Sequence, residues 1–312
     1  MPSRRRPPEI VKALAFPVRT SLDDVMIFRF SKSLLILALG LFNVQQTILH
    51  AQDTKLKLRY DEKNILHISG DWVPGGSIPI WYIEAYCRPN AHETDWSQHT
   101  VIGHKTEVVE SSDHEIRLRC RLRDGVIVNH TISSDKDSVD FQITAHNPTA
   151  QLSETHWGQP CIRVHGFTGY GDPSKGVSYD YIERSFIFLD GKLSLMPTRD
   201  WETKARYTPG QVWAAPGVLG ADVNPRPLNP NTPSNALIGC FSKDGKYVLA
   251  AAFDPYQELF QGVIHCLHND FRIGGLKPNE TKTVHGKLYI LPAHIPTLLE
   301  RYRIDFPDHS QH

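Results

Sequence analysis

The sequence has no excess of either charge. Its 312 residues include 34 Lys and Arg against 34 Asp and Glu, so the formal net charge is zero. Proteins that bind nucleic acids or anionic membrane surfaces usually carry a strong positive balance. The composition therefore gives no reason to expect either partner, and we predict no nucleic-acid binding.

Motifs of several common sites are also missing. No CxxC pair occurs among the five well-separated cysteines, which leaves a zinc ribbon or a dithiol redox centre without support. A Gly-x-Ser-x-Gly nucleophile elbow is absent as well. Gly274 and Gly275 precede a strand rather than the helix that a phosphate-binding site uses. Cys161 and His165 would lie roughly 13 Å apart on a strand, which is too far for a catalytic dyad.

One apolar run, 34–42, lies near the N-terminus and is too short for a membrane span of about 20 residues. Basic residues precede it and residues 49–51 resemble a cleavage site, an order typical of a secretory signal. We predict a signal peptide at 26–51, which makes 1–25 an extension from a misassigned start. The mature protein, 52–312, is then exported to the periplasm or the extracellular space without a membrane span. A buried N-terminal helix is the alternative.

Short runs with a period of two fill most of the mature chain. In 114–122, apolar side chains point one way and three arginines the other, and an Asp124-Gly125 turn leads into the next strand of an antiparallel meander. Many strands with almost no helix predict a single all-β domain, a sandwich or a barrel. The predicted elements after the first strand are strands at 126–132 and 139–145, hairpins at 184–196 and 236–253, strands at 263–268 and 283–291, and a helix at 295–303.

One long segment, 197–235, shows no sustained periodicity. It contains seven prolines together with Trp201, Tyr207 and Trp213. Loops of this length inside a compact domain are usually functional or disordered, and aromatic anchors argue against disorder. We predict an ordered loop that walls a cleft.

The densest group of polar residues is 156–165, HWGQPCIRVH. On a strand, Cys161, Arg163 and His165 would share one face and Ile162 the other. A strand with one apolar and one cationic, titratable face predicts a polar cleft floored by a sheet.

Several segments resemble galactose mutarotase-like (β-supersandwich) proteins. They are the meander, which Asn147-Pro148 closes, and the turn at 272–281 before the final strand. The segments HWGQPCIR and DFRIGGLKP are also similar to those of a group of exported bacterial proteins. The resemblance implies a large antiparallel β-sandwich with a short C-terminal helix, and a mono- or oligosaccharide as ligand.

The resemblance also implies roles for residues of the cleft. In mutarotase-like enzymes a histidine is the general acid and a carboxylate takes the anomeric proton, which suggests His165 as acid and Glu258 as base. Polar side chains would hold sugar hydroxyls, and tryptophans would stack on the ring. The candidate substrate-binding residues are His156, Trp157, Gln159, Arg163, Trp213, Gln261 and His265.

Sixteen histidines raise the question of a metal, but the spacing does not favour one. His265 and His268 are three apart, so on a regular strand they point to opposite faces and cannot share an ion. His268 with Asp270, or His265 with His165, stays open. We assign no metal ligands and no cofactor.

Other polar residues have structural explanations. His130 is in register with Val128 and Ile132, so we expect a hydrogen-bonded core residue. The arginines of 114–122 form a solvated outer face, with a groove for an anionic polysaccharide as the alternative.

Three classes of function follow from these patterns: an enzyme of sugar acid–base chemistry such as an epimerase, lyase or hydrolase, a carbohydrate-binding module, and a structural or envelope-associated sandwich without a small-molecule site. In the third, Arg163 would pair with a sheet carboxylate and His165 would be a polar neighbour.

Overall fold

The computed structural model describes residues 55–90, 96–170, 180–196, 212–223, 228–262 and 265–311. The predicted extension 1–25 and signal peptide 26–51 lie outside these ranges. Within them, no helix combines the length and apolar character needed to cross a membrane.

The described chain is an antiparallel β-sandwich of two large sheets with a short C-terminal helix. The elements are β1 (Lys57–Tyr60), β2 (Ile65–Ser69), β3 (Ser77–Cys87), β4 (Val101–Ile102), β5 (His104–Ser111), β6 (Glu115–Leu122), β7 (Ile127–Ser134), β8 (Ser138–His146), β9 (Trp157–Arg163), α1 (His165–Thr168), β10 (Ser185–Leu189), β11 (Lys192–Leu195), β12 (Trp213–Ala214), β13 (Ile238–Phe241), β14 (Tyr247–Asp254), β15 (Tyr256–Gly262), β16 (Cys266–Arg272), β17 (Thr281–Pro292) and α2 (Ile295–Asp305). Short π or 3-10 turns lie at Trp96–Thr100, Asp180–Arg184, Gly220–Asp222 and Pro307–Gln311.

The nine-stranded sheet has the order β11-β10-β13-β14-β17-β8-β7-β6-β5. Its β6-β7-β8 part is the predicted meander, and the predicted hairpins are β10-β11 and β13-β14. The apolar positions of β6 are buried, whereas Arg117 forms ion pairs with Glu110 and Glu115 on the solvent side, at 3.1 and 2.8 Å. The arginine face is therefore the solvated surface that we expected, and the structure adds its ion pairs.

The eight-stranded sheet has the order β1-β2-β3-β9-β16-β15-β12, with β4 paired to β3. The edge strand β12 comes from the proline-rich segment for which we predicted a loop, so that prediction was incomplete. Trp213 and Ala214 pair with Leu259 and Glu258 of β15. Two paired residues are too few to give a periodic signal in the sequence.

The two sheets pack face to face through one apolar core. Phe271 of the eight-stranded sheet lies 5.6 Å from Phe253 of the nine-stranded sheet, measured between ring centroids. Side chains alternate between the two faces of a strand. The residues of β9, β15 and β16 that do not point into the core therefore point away from the nine-stranded sheet. We call that side of the eight-stranded sheet the outer face.

Two predicted boundaries were wrong. The predicted strand 263–268 is β16, which begins at Cys266 and continues to Arg272, while 263–264 lie outside the described ranges. Strand β9 ends at Arg163, and His165 begins α1. The Thr168 hydroxyl donates to the Val164 carbonyl at 2.8 Å, and Gly169 ends this turn with φ +77°. The chain thus leaves the sheet before His165.

Candidate functional site

The central strands of the eight-stranded sheet bring polar side chains together on the outer face. Cys161 of β9 is directly opposite His268 of β16, and Glu258 of β15 is opposite Asp270. Positions two apart on a strand share a face, which adds further polar residues of β9 and β16. We call the resulting group the outer-face cluster, and it also includes Glu84 of β3. Its members are Glu84, Gln159, Cys161, Arg163, Glu258, Cys266, His268 and Asp270.

Glu84 joins the cluster through an irregularity in β3. The register between β3 and β9 shifts between Trp81 and Ala85, which interrupts the alternation of side chains there. The Glu84 carboxylate lies 4.0 Å from Nε2 of His268. It is 20% exposed, while the His268 side chain is 4% exposed, so Glu84 lies nearer to solvent.

His268 is at the centre of the cluster. Its Nδ1 lies 3.5 Å from Oδ1 of Asp270 and 3.4 Å from the Gln159 side-chain amide. Its Nε2 lies 3.4 Å from the Cys266 sulfur. The Phe260 ring stacks on the imidazole with centroids 4.2 Å apart, which holds the ring in one plane.

Burial and mutual charge shift the acid–base properties of the cluster. Burial raises the pKa of Glu84 to about 7, against the opposing effect of His268. Burial also raises the pKa of Asp270 to about 6. For His268, burial acts to lower the pKa, but Cys266 and Asp270 outweigh it and raise that pKa well above its usual value. The cluster therefore holds protons at neutral pH.

Part of the proline-rich segment covers the outer face. Val212 and Val223 pack against Phe260 in a small apolar cluster. The Asp222 carboxylate accepts the Asn90 backbone N–H at 3.0 Å and lies 3.7 Å from Arg272 at the end of β16. The described residues 212–223 thus lie over part of this side of the sheet. Residues 197–211, with Trp201 and Tyr207, and 224–227 lie outside the described ranges, so for them the prediction of an ordered loop stays a prediction.

Two of the candidate substrate-binding residues lie on the face opposite to the cluster. Trp213 is paired with Leu259, and Gln261 is paired with Leu267, and both partners belong to the core between the sheets. Trp213 and Gln261 are 1% exposed, so neither side chain can reach a ligand on the outer face. We had placed both residues in the cleft, and that placement was wrong. Strand register decides which face a side chain occupies, and the register could not be read from the sequence.

Three other candidates are on the outer face or near it but do not join the cluster. His156 lies just before β9, and its Nδ1 is 3.8 Å from the Asp222 carboxylate. Trp157 is fully buried and packs with Ala85 and Cys87, so its ring offers no surface for stacking on a sugar. His165 lies in α1 rather than on the strand face of Cys161 and Arg163.

His265 is in a turn rather than on a strand. Its φ is +55°, its ring lies 5.3 Å from that of Tyr181, and its carbonyl accepts the Val164 N–H at 2.8 Å. The prediction that His265 and His268 occupy one regular strand was therefore wrong. Of the predicted site residues, Gln159, Arg163 and Glu258 belong to the outer-face cluster.

Sequence reasoning missed Glu84, Cys266 and the neighbouring Trp81, and it left His268 with Asp270 as an open possibility without assigning either to the site. The strand irregularity hides Glu84 from any period-two pattern. The alternation of Cys266, His268, Asp270 and Arg272 was a signal, but placing the strand start at 263 drew attention to the HxxH pair instead.

A cavity of about 660 Å³ lies away from the cluster. Its lining includes Asn235, Tyr256 and the ion pair between His309 and Asp254, whose atoms are 2.9 Å apart. No residue of the outer-face cluster lines this cavity, so the titratable groups of the cluster and the cavity lie in different parts of the described structure.

The fold is similar to solved structures of mutarotase-like proteins. A galactose mutarotase-like protein from Lactobacillus casei is 11% identical, with 76% of this chain and 97% of that chain covered and a TM-score of 0.44. An aldose epimerase homologue from C. elegans is 9% identical, with 77% and 88% covered and a TM-score of 0.37. An α-mannosidase from Enterococcus faecalis is 8% identical, with 81% of this chain and 30% of that chain covered and a TM-score of 0.43. At these values the similarity concerns the fold and transfers no activity.

No protein-family model matches the sequence, and a search of curated proteins finds no relative.

Proposed function

We propose that this protein binds a carbohydrate on the outer face of its eight-stranded sheet, and that Glu84 takes part in acid–base chemistry on the bound sugar. The observation that carries the proposal is a pair of buried polar atoms. Oε2 of Glu84 and Nε of Arg163 have no hydrogen-bond partner among the described residues. Buried polar atoms are normally paired; a sugar hydroxyl can donate to a carboxylate oxygen and can accept from a guanidinium N–H.

An aromatic side chain lies beside these atoms. The half-buried Trp81 ring has the Arg163 guanidinium 6.0 Å from its centroid. Trp81 takes the stacking role that we had assigned to Trp157 and Trp213, since both of those rings are buried. The choice of a carbohydrate rests on the sequence resemblance to galactose mutarotase-like proteins.

Glu84 is the preferred proton-transfer group because it is the partly exposed carboxylate of the cluster. Glu258 is 0% exposed on the floor of the face, where it can act only on a group that penetrates the cluster. His165 lies outside the cluster, and we no longer assign it the role of acid.

The binding part is tested with a thermal-shift panel of neutral, acidic and sulfated oligosaccharides, each with and without EDTA, so that sugar binding and metal effects are measured separately. A ligand at 100 times its Kd adds about 2.7 kcal/mol to the unfolding free energy. For a sugar that binds, Trp81→Ala and Arg163→Gln should weaken affinity at least tenfold. Arg119→Gln, on the nine-stranded sheet, is the matched control and should bind normally. A flat panel would refute the proposal and favour the envelope-associated sandwich.

The acid–base part is tested on monosaccharides that bind, by measuring anomer exchange with NMR. Glu84→Gln should lower kcat by about 100-fold or more with little change in Kd, as removal of a general acid–base group does. Binding without any exchange or cleavage would reject catalysis and leave a carbohydrate-binding module.

Export is a separate proposal that rests on the predicted signal peptide. Expression of the full chain in a secreting bacterial host should give a processed protein that begins close to residue 52. N-terminal sequencing of the product tests this, and an unprocessed chain in the cytoplasm would contradict it.

A further inference from the structure

The outer-face cluster contains three groups that metals prefer as ligands. The sulfur atoms of Cys161 and Cys266 and a ring nitrogen of His268 all lie within 4.8 Å of one another. Each of the three residues is at most 3% exposed. Strand register explains the meeting, because Cys161 is directly opposite His268 and Cys266 is two positions before His268 on the same face.

The spacing is close to that of donors around one zinc ion. With Zn–S of about 2.3 Å and Zn–N of about 2.0 Å, tetrahedral donors are about 3.4 to 3.8 Å apart. The observed separation of Cys266 Sγ and His268 Nε2 is 3.4 Å. Only small side-chain movements would place all three donors around one ion.

His268 has the surroundings of a metal-binding imidazole. Asp270 approaches Nδ1, which leaves Nε2 directed toward the Cys266 sulfur. A carboxylate on the remote nitrogen is the usual partner of a metal-ligating histidine, since it fixes both the tautomer and the ring orientation. Phe260, stacked on the ring, restricts its rotation.

The backbone also leaves room at this point. Gly262 is the cross-strand partner of Cys266. A Cβ at position 262 would lie 2.3 Å from the Cys266 sulfur and 3.1 Å from Nε2 of His268. Glycine is therefore the residue that keeps the space beside both donors open. Oε2 of Glu84 lies 4.0 Å from Nε2 of His268, so this carboxylate borders the group of donors.

We propose that Cys161, Cys266 and His268 bind a zinc ion, with the fourth position left for a water molecule or another ligand, and with Asp270 as the residue that orients His268. Two thiolates with an imidazole suit the borderline-soft Zn²⁺ and not Mg²⁺ or Ca²⁺, which prefer oxygen donors. This inference does not depend on the carbohydrate proposal.

The test uses the full chain, reduced and stripped of metal, and titrates it with Co²⁺ as a spectroscopic probe. We expect one equivalent of Co²⁺ to produce the intense d–d bands of tetrahedral cobalt and a charge-transfer band of two thiolates, and Zn²⁺ to displace it. Mg²⁺ should have no effect. The band intensity in the unmodified protein counts the thiolates, so the result does not require any variant to fold.

Variants then assign the ligands. Cys161→Ala and Cys266→Ala should each lose half or more of the charge-transfer band. Cys240→Ala is the matched control, because Cys240 is an equally buried thiol in the nine-stranded sheet, and it should keep the full spectrum. Asp270→Asn should keep the spectrum but lower zinc affinity about 10- to 100-fold.

Three results would overturn the proposal. The first is reduced wild-type protein that binds no stoichiometric Co²⁺ or Zn²⁺. The second is a thiolate band that survives in the Cys161→Ala, Cys266→Ala double variant. The third is a Cys161–Cys266 disulfide in the folded protein with no metal binding after reduction. None of these experiments uses a sugar. Their results therefore test the zinc site separately from the carbohydrate proposal.

Discussion

His130 provides a test of the packing between the two sheets. It is 1% exposed, and its ring nitrogens lie 2.8 Å from the hydroxyls of Tyr82 and Tyr86. One hydroxyl donates to the unprotonated nitrogen and the other accepts from the N–H, which suits a neutral ring. Burial, with a smaller contribution from the nearby His104, lowers the pKa of His130 to about 3. The Cys120 sulfur, 3.7 Å from Nε2, completes the polar surroundings.

The unfolded chain protonates this imidazole below its ordinary pKa of about 6.5, whereas the folded protein keeps it neutral down to about pH 3. Between these values the unfolded state binds more protons, so stability falls as the pH decreases. At pH 5 the loss from this one group is about 2 kcal/mol relative to pH 7.5. Denaturant unfolding from pH 7.5 to 5 measures it. Because Glu84 and Asp270 also titrate in this window, the contribution of His130 is taken as the difference between the wild type and a variant.

The matched variants are His130→Gln, which keeps one donor and one acceptor without titrating, and His146→Gln, at the end of the next strand. His130→Gln should lose about 2 kcal/mol less than the wild type over this range, and His146→Gln should follow the wild type. If His130→Gln loses as much stability on acidification as the wild type, His130 is not held neutral and the reasoning fails.

Three further predictions concern single side chains. Asn147→Ala should destabilise the protein by about 1–3 kcal/mol, because Nδ2 donates to the Gln151 and Leu276 carbonyls at 2.7 and 3.1 Å; chemical denaturation measures this, and a loss under 0.5 kcal/mol would contradict it. Gly262→Ala should cost about 1–3 kcal/mol through the contact with the Cys266 sulfur, and an unchanged melting temperature would show that the space is larger than described. Arg301→Ala should cost less than about 1 kcal/mol, since its ion pair with Asp137 is partly exposed, and a larger loss measured by denaturation would show that the pair is part of a stronger network.

The fold was largely predictable because alternation and turn residues act locally. In β6 every second side chain is apolar, and Asp190-Gly191 and Asp244-Gly245 both join paired strands. Helix α2 was predicted at 295–303 and is observed at Ile295–Asp305, with proline in its first turn. These signals depend on a few neighbouring residues and not on the rest of the chain.

The candidate site was predictable only in part because it depends on contacts between distant strands. The sequence predicted a polar face on β9 and selected Gln159, Arg163 and Glu258. It did not show that β16 lies next to β9, so Cys161 and His268, 107 positions apart, could not be paired. A one-residue difference in register exchanges the two faces of a strand, and Gln261 was misplaced for that reason.

The edge of the nine-stranded sheet has a consequence for the behaviour of the protein at high concentration. Strand β5 ends the sheet, and its Val108 and Val109 side chains are 50% and 54% exposed. An exposed apolar edge would normally recruit a strand from another copy. The register shift between Val108 and Glu110 bends the strand at that point, and the charged Lys105, Glu107 and Glu110 lie along it. A second copy would have to match this bend, and a parallel, in-register copy would also bring like charges together, so the edge resists the strand-by-strand growth that leads to fibres.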